Sequence, residues 1–368
     1  MTVFGTREGP ATLAAVIAAI VLLFAITGTL ARIWNRQRLD RASEQFLTGE
    51  ALARAGQHEE AIQHYLAALT LSRDNTQYEL ALALTLVKLG RLTQAEAYLA
   101  ETLAADPTNG AANLSVARIA AGRNNINEAV LYYHRAVYGL WTETPVNHRL
   151  QARLELADYL ASRGQTRAAV AELVAVESDA PGDHALHMTL ASRYLKYGVP
   201  DRAAAQFRDA AEEEKDDPKA WTGLGEAEMA AGNYGAAEKA FRQAVRYDPR
   251  NKALQARLSL AEDVTELDPS VRLLGTVEQY KRSRALLHRA SAALTACTQD
   301  LPRLPAEAQA AENASRGLLD HPARRPVIDD VNRNLGVVAT LWKQRLAVCP
   351  KTPVKDDALS MVMGRLTR

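Results

Sequence analysis

The sequence is short of most of what an active site is built from. Its only cysteines are Cys297 and Cys349, so a four-cysteine zinc site and a C-x-x-C redox pair are excluded. No glycine-rich phosphate loop, G-x-S-x-G elbow or H-E-x-x-H helix occurs. Neither charge sign dominates: 44 Lys and Arg face 43 Asp and Glu, a net charge of +1. A nucleic-acid binder needs a basic excess or stripe, so no nucleic acid partner is expected. The eight histidines are scattered. His184 and His187 stand three apart and could share a helical face as metal ligands, but a zinc site needs two more ligands and none suggests itself. A solvated helix start is the simpler reading of that pair. The acidic run Glu212, Glu213, Glu214, Asp216 and Asp217 reads as a solvated loop. No carboxylate pair sits in an apolar stretch that would raise a pKa for acid–base work. The sequence therefore predicts no catalytic residue, no metal, no cofactor, no small-molecule substrate and no enzymatic activity.

What is present begins with an apolar run. Gly9 to Ala31 is 23 residues without a charge, and about 20 apolar residues in a helix cross a bilayer core. Arg32, Trp34, Arg36 and Arg38 follow it, as interfacial anchors do. Thr27 to Ala31 is a poor cleavage site, so an uncleaved anchor over residues 9–31 is the favoured reading, with cleavage as the alternative. Residues 1–34 are thus assigned as tail and transmembrane anchor and 35–41 as a juxtamembrane linker. Four arginines after the run, against Arg7 before it, place the body in the cytoplasm by the positive-inside rule. The cysteine pair favours an oxidising compartment instead, and the extracytoplasmic side of a bacterial inner membrane is adopted, with the cytoplasmic side as the alternative.

Beyond the run, small residues recur with a long period. Ala61, Ala95, Ala129, Ala169, Ala203 and Ala237 are separated by 34, 34, 40, 34 and 34 residues. Most are followed at helical spacing by an aromatic or leucine and another alanine, as in Ala237, Phe241 and Ala244. Twelve residues before each anchor stands Gly49, Ala83, Ala117, Ala157, Ala191 or Gly225, small enough for two helices to cross closely. Five residues before each stands Gly56, Gly90, Asn124, Gly164, Gly198 or Gly232, residues that accept a left-handed turn. Pro107, Pro181 and Pro249 close three units.

The run Trp221, Leu224, Gly225, Gly232, Ala237, Phe241, Ala244 and Pro249 resembles a complete tetratricopeptide repeat. That resemblance extends over roughly residues 42–251. It implies an all-α right-handed solenoid of six helix pairs, at 42–75, 76–109, 110–143, 150–183, 184–217 and 218–251, with a capping helix at 252–268. The six extra residues between the third and fourth units, Thr144 to Arg149, read as a lengthened loop beside Tyr132, Tyr133, Tyr138 and Trp141. Such a loop could be a contact site; the preferred reading makes Tyr133 a core residue and packs Trp141 under the turn.

After Pro269 the period stops, and residues 269–350 read as a C-terminal helical region with helices at about 277–298, 306–319 and 326–348, followed by a tail at 351–368. Pro326 suits a first helical turn, and Pro302 and Pro305 break the chain. Cys297 and Cys349 meet if the outer helices run parallel and stay apart if they run antiparallel; a disulfide and two buried thiols are both open.

In the resembled family, first-helix side chains between the packing positions face a concave groove. Here these are Phe46, Leu80, Leu84, Leu114, Leu154 and Met188, flanked by Arg54, Lys88, Arg118 and Lys196. They do not reproduce the Lys/Asn carboxylate clamp of the chaperone-binding members. The resemblance implies a protein or peptide partner, and the stripe suits an apolar segment of some acidic character. The expected function is a membrane-tethered interaction scaffold, in envelope assembly, secretion or chaperoning. Two competitors stand beside it: a self-associating module whose groove is filled by Leu359, Met361, Val362 and Met363 of its own tail, and an enzyme with its site in the C-terminal helices. Partner and oligomeric state are not legible.

Overall fold

The computed structural model describes residues 9–142, 144–179, 182–271, 273–298, 304–350, 353–354 and 356–367. Arg7, Pro181 and Pro302 of the reading above lie outside them. The described residues form seventeen helices and no strand, only an isolated bridge between Asn109 and Leu140. The chain divides into two compact units, residues 1–180 and 181–368.

The first unit holds α1 (Gly9–Arg54), α2 (His58–Leu71), α3 (Thr76–Lys88), α4 (Leu92–Ala105), α5 (Gly110–Gly122), α6 (Ile126–Tyr138), α7 (Pro145–Ser162) and α8 (Thr166–Asp179). The anchors Ala61, Ala95, Ala129 and Ala169 have no exposed surface. A methyl group is what two crossing helices can bury at close approach; anything larger would hold them apart. The turns before them carry φ near +70°, including Asn124 at 61°, which is why Gly or Asn recurs there. Asn75 caps α3 by accepting the backbone N–H groups of Gln77 and Tyr78 at 3.1 and 3.2 Å, and Asn109 accepts that of Ala112 at 3.0 Å. Each cap satisfies a donor that the helix start leaves unpaired.

Two readings change here. Residues 35–41 are helical: α1 runs unbroken from Gly9 into the first repeat. Between Gly28 and Gly49 there is neither glycine nor proline, and Arg, Gln, Leu, Ala and Glu give the helix no reason to stop. The extra residues after Thr144 are also not loop. They lengthen α7 to 18 residues, against 13 in α3 and α5, because Pro145 presets the helical φ at its first position.

The second unit holds α9 (His184–Lys196), α10 (Pro200–Glu213), α11 (Pro218–Ala231), α12 (Tyr234–Tyr247), α13 (Lys252–Leu267), α14 (Thr276–Thr298), α15 (Ala306–Asp320), α16 (Ile328–Val348) and α17 (Asp357–Leu366). A β-carbon on Gly225 would stand 2.5 Å from the Phe241 ring, so α11 and α12 cross only because that position is bare. Leu254 and Ala261 of α13 close the core over Phe241 and Ala244.

Beyond α13 a second core gathers Leu286, Leu294, Val338, Leu341, Leu359 and Val362. Helices α14 and α16 pack side by side in the same direction, since Ser283 meets Asn334 at 2.9 Å near their starts while Cys297 is bonded to Cys349 at their ends, Cα–Cα 6.3 Å. Helix α15 is the return connection. Pro326 lies outside α16, whose first residue is Ile328; the Asp330 carboxylate accepts the Val327 backbone N–H at 3.0 Å and fixes the start two residues beyond the proline.

Candidate interaction surface

The first-helix positions divide by what covers them. Phe46 is 8% exposed, stacked on Tyr78 at 4.6 Å and tilted against Tyr65 at 5.8 Å. Leu114 is 4% exposed. Both belong to the packing between helices and are not available to a partner. The reason is pairwise: an aromatic at 46 meets aromatics from α2 and α3, and together they fill the space an open trough would need. Leu80 is half-buried against the Ala83 and Leu99 cluster. Leu84 and Leu154 are half-buried and stand outside these clusters. Arg54 and Lys88 are exposed. Arg118 is also exposed but committed, its guanidinium donating to both Glu155 oxygens at 2.7 and 2.8 Å. Met188 and Lys196 lie in the second unit, Met188 half-buried against Ala210 and Ala220, Lys196 exposed.

The electrostatics of the first unit are those of packed repeats. The Tyr65 hydroxyl donates to Glu50 at 2.7 Å. Burial, then the Glu50 carboxylate, pushes its pKa well above the ordinary tyrosine value. Tyr133 is pushed up to about 12, by burial and then by Glu155. Both phenols hold their protons more tightly folded than unfolded. The stability they support is therefore complete below pH 10 and lost as pH rises from there through 12. Urea unfolding of the first unit is expected to shift to lower midpoints between pH 9 and 11, and Tyr133→Phe to weaken that dependence; a pH-independent midpoint would contradict the assignment. Glu79 is buried, and burial followed by Glu101 and Asp74 raises its pKa. Its position in α3 gives no sequence signal of this.

His184 and His187 are not at a solvated helix start. His184 Nδ1 lies 3.1 Å from the Ala210 carbonyl and Nε2 3.2 Å from Asp217. His187 lies 2.9 Å from Gln206 and 3.7 Å from Glu213. The start of α9 packs on the end of α10, so part of the acidic run pairs with these rings instead of facing water alone. Among the described residues no group of three or more His, Cys, Asp or Glu is arranged to hold a metal.

The aromatic segment before α7 splits as its residues do. Tyr133 is core. Trp141 plugs the face of Gly110, where a β-carbon would be 2.4 Å from the indole, donates to the Ala136 carbonyl at 2.9 Å and stacks on His148 at 4.7 Å. Tyr138 is exposed. A cleft of about 520 Å³ opens here between Val137, Tyr138, Val146, Leu150 and Val176, with Arg153 half-stacked over Tyr138 and paired to Asp179 at 3.2 Å. Nothing in the repeat period marks this cleft.

The tail segment is not loose. Leu359, Val362 and Met363 of α17 are buried with Val264 and Leu267, Tyr234 donates its hydroxyl to the Met361 carbonyl at 3.2 Å, and Arg365 pairs with the buried Asp268 at 2.8 Å. In this structure those apolar side chains complete the C-terminal core.

Helix pairs joined by left-handed turns, crossing at small residues at intervals of 34 and once 40 positions, define an α-solenoid class. Tetratricopeptide repeat models match residues 52–119 and, in overlapping copies, 188–252 and 222–263; the chain carries tetratricopeptide repeats in both units. No curated protein matches it significantly. Among solved structures, PilW, a widely conserved type IV pilus biogenesis factor, is similar at 20% identity over 59% of this chain and 98% of its own, with a TM-score of 0.42. Pseudomonas aeruginosa PilF is similar at 14% identity over 61% and 99%, TM-score 0.43. YrrB, a repeat protein with an unusual peptide-binding site, is similar at 18% identity over 52% and 96%, TM-score 0.40. None of these likenesses assigns a partner to this chain.

Proposed function

We propose that the chain is a non-enzymatic interaction scaffold tethered to a membrane, whose repeats recruit a protein or peptide. The observation that carries this reading is the continuity of α1. Its apolar part, from Leu13, has mean hydropathy 2.6 over its best 18 residues with none of that window buried. The same helix then supplies Ala42 and Phe46 to the first repeat core. A helix that is apolar all round and uncovered calls for lipid, and one that enters a repeat without a break ties the repeats to it. The side of the membrane we propose is the extracytoplasmic one. The Cys297–Cys349 bond supports it, since such bonds persist in oxidising compartments; the arginines after the apolar run favour the opposite side.

The recruiting face proposed in the first unit is the remainder of the stripe: Leu84 and Leu154, with Lys88 beside it. A partner offering an apolar side chain and a carboxylate matches that chemistry. Leu84→Ser with Leu154→Ser is expected to abolish crosslinking of the partner to a photoreactive residue at Lys88, while thermal unfolding stays within the range of a surface change. Undiminished crosslinking in a folded double variant rejects this face. The self-filled groove is the second reading, and the burial of α17 in the C-terminal core counts against it, because the segment that would fill the groove already has an apolar site.

A further inference from the structure

The way α1 enters the first repeat fixes which edge of that unit faces the bilayer, and the same edge carries an apolar cluster that the repeat fold does not need. Helices α1 and α2 are antiparallel, reversed at the Gly56 turn, and a β-carbon on Gly49 would stand 3.3 Å from the Ala61 carbonyl. Counting back along that register brings Leu71, the last residue of α2, level with about Leu39 of α1. Leu39 is five residues beyond Trp34, or roughly 7.5 Å of helix rise. The turn from α2 to α3, with Arg73 exposed, therefore sits at headgroup height if Trp34 marks the interface. Because the helices alternate in direction, the starts of α3, α5 and α7 and the ends of α2, α4 and α6 all lie on this edge. The turns at Gly56, Gly90, Asn124 and Gly164 lie on the other.

On the membrane-side edge, between α6 and α7, Tyr138, Leu140 and Val146 are 74%, 65% and 60% exposed. Their outward position is built. The Leu140 backbone N–H donates to Thr108 at 2.7 Å and its carbonyl accepts from Gly110 at 2.8 Å. Trp141 is turned inward as the plug against Gly110, and Arg149 donates to the Gly139 carbonyl at 3.3 Å. The loop is held on both sides while its apolar side chains point to solvent. A tyrosine, two aliphatic side chains and a neighbouring arginine are the composition of an interfacial contact, where amphipathic and apolar groups enter the headgroup boundary and cations stay with the phosphates.

We propose that this edge of the first unit rests on the bilayer, and that Tyr138, Leu140 and Val146 form a second membrane contact in the headgroup–acyl boundary. Because α1 touches α3 and α3 touches α5, the contact at the start of α7 is about three such steps from α1, roughly 30 Å at 8–10 Å each. A spanning helix tilts by up to about 40°, which lets the edge settle on the surface. The inference rests on the tether reading. It adds a second attachment point to the one that α1 makes, which fixes the direction the repeats present to a partner.

The test uses the full chain in phosphatidylcholine vesicles, with an environment-sensitive fluorophore on single introduced cysteines. The native pair is bonded to itself and stays unlabelled. Probes go at Phe24→Cys for the tether, Leu140→Cys and Val146→Cys for the edge, and Gln165→Cys for the opposite edge. Quenching by lipid spin-labelled near the headgroup is expected to be roughly twofold or more stronger at 140 and 146 than at 165. Equal, weak quenching at 140, 146 and 165 with strong quenching at 24 by deep-labelled lipid overturns the edge contact and leaves the tether standing. Probes at 140 and 146 that are shielded from aqueous iodide yet unquenched by lipid also overturn it, in favour of a protein contact. No quenching at 24 or at 140 overturns the tether and this contact together.

Discussion

A chain lacking residues 1–35 is expected to leave the membrane fraction and remain folded. Between Leu13 and Leu30 there are ten Leu, Ile, Val and Phe residues. At about 0.3–0.6 kcal/mol each near a helix centre, they supply roughly 3–6 kcal/mol of insertion free energy. That is about two to four orders of magnitude in partitioning. None of residues 13–41 is buried, and the first core residue is Ala42, so truncation removes no packing contact of the repeats. The full chain should stay in the pellet through alkaline carbonate extraction. The truncated chain should appear in the supernatant with an unchanged urea midpoint. A shortened chain that resists carbonate would move the anchor elsewhere; one that loses its midpoint would show α1 supporting the core in a way its exposure does not suggest.

The repeats were legible in the sequence because their physics is local and repeated. Two helices can cross closely only at a small side chain, and a left-handed turn is comfortable only for Gly or Asn. Each requirement leaves a residue at a fixed interval, from Ala61 to Ala237 and from Gly56 to Gly232. The continuity of α1 was missed, since residues 35–41 are assigned as a linker from the sequence, although the absence of Gly and Pro between 28 and 49 argues against one. Burial of Phe46 and Leu114 was not legible, because it depends on which side chains two neighbouring helices bring to the same gap. Phe46 is covered by Tyr65 and Tyr78, 19 and 32 positions away. The plug of Trp141 on Gly110 is of the same kind: nothing at either position announces the other. Tyr138 was marked by its place beside the lengthened loop, but Leu140 and Val146 were hidden among other apolar residues, since exposure is decided by the loop hydrogen bonds and not by composition. The cysteine pairing turned on helix direction, which here follows from α15 serving as a return connection and from the Ser283–Asn334 contact.

Replacing both cysteines, Cys297→Ser with Cys349→Ser, is expected to destabilise the C-terminal part of the second unit by about 4 kcal/mol on the chain-entropy account of a crosslink closing a loop of this length. The separation is 52 residues. The loss amounts to roughly a thousandfold in the ratio of folded to unfolded forms. The cost falls there because the bond ties the ends of α14 and α16, whose Leu286, Leu294, Val338 and Leu341 are the centre of that core. Helix α17 packs on the same core, and Arg289 reaches both Asp263 of α13 and Asp356 before α17, so loosening α14 loosens the tail as well. Urea melts followed by a fluorophore in α16 should show an earlier transition in the variant. A reductant should move the native protein to the variant's midpoint and leave the variant where it is. A fluorophore in α4 should report no change under either treatment, because the first unit contains no cysteine. Equal midpoints with and without the bond would mean that apolar packing alone holds the C-terminal helices. Alkylation trapping in cells then tests the compartment with the same pair: a bonded pair in growing cells agrees with the extracytoplasmic side, and two alkylated thiols place the repeats in the cytoplasm, where the bond's stabilisation would be lost.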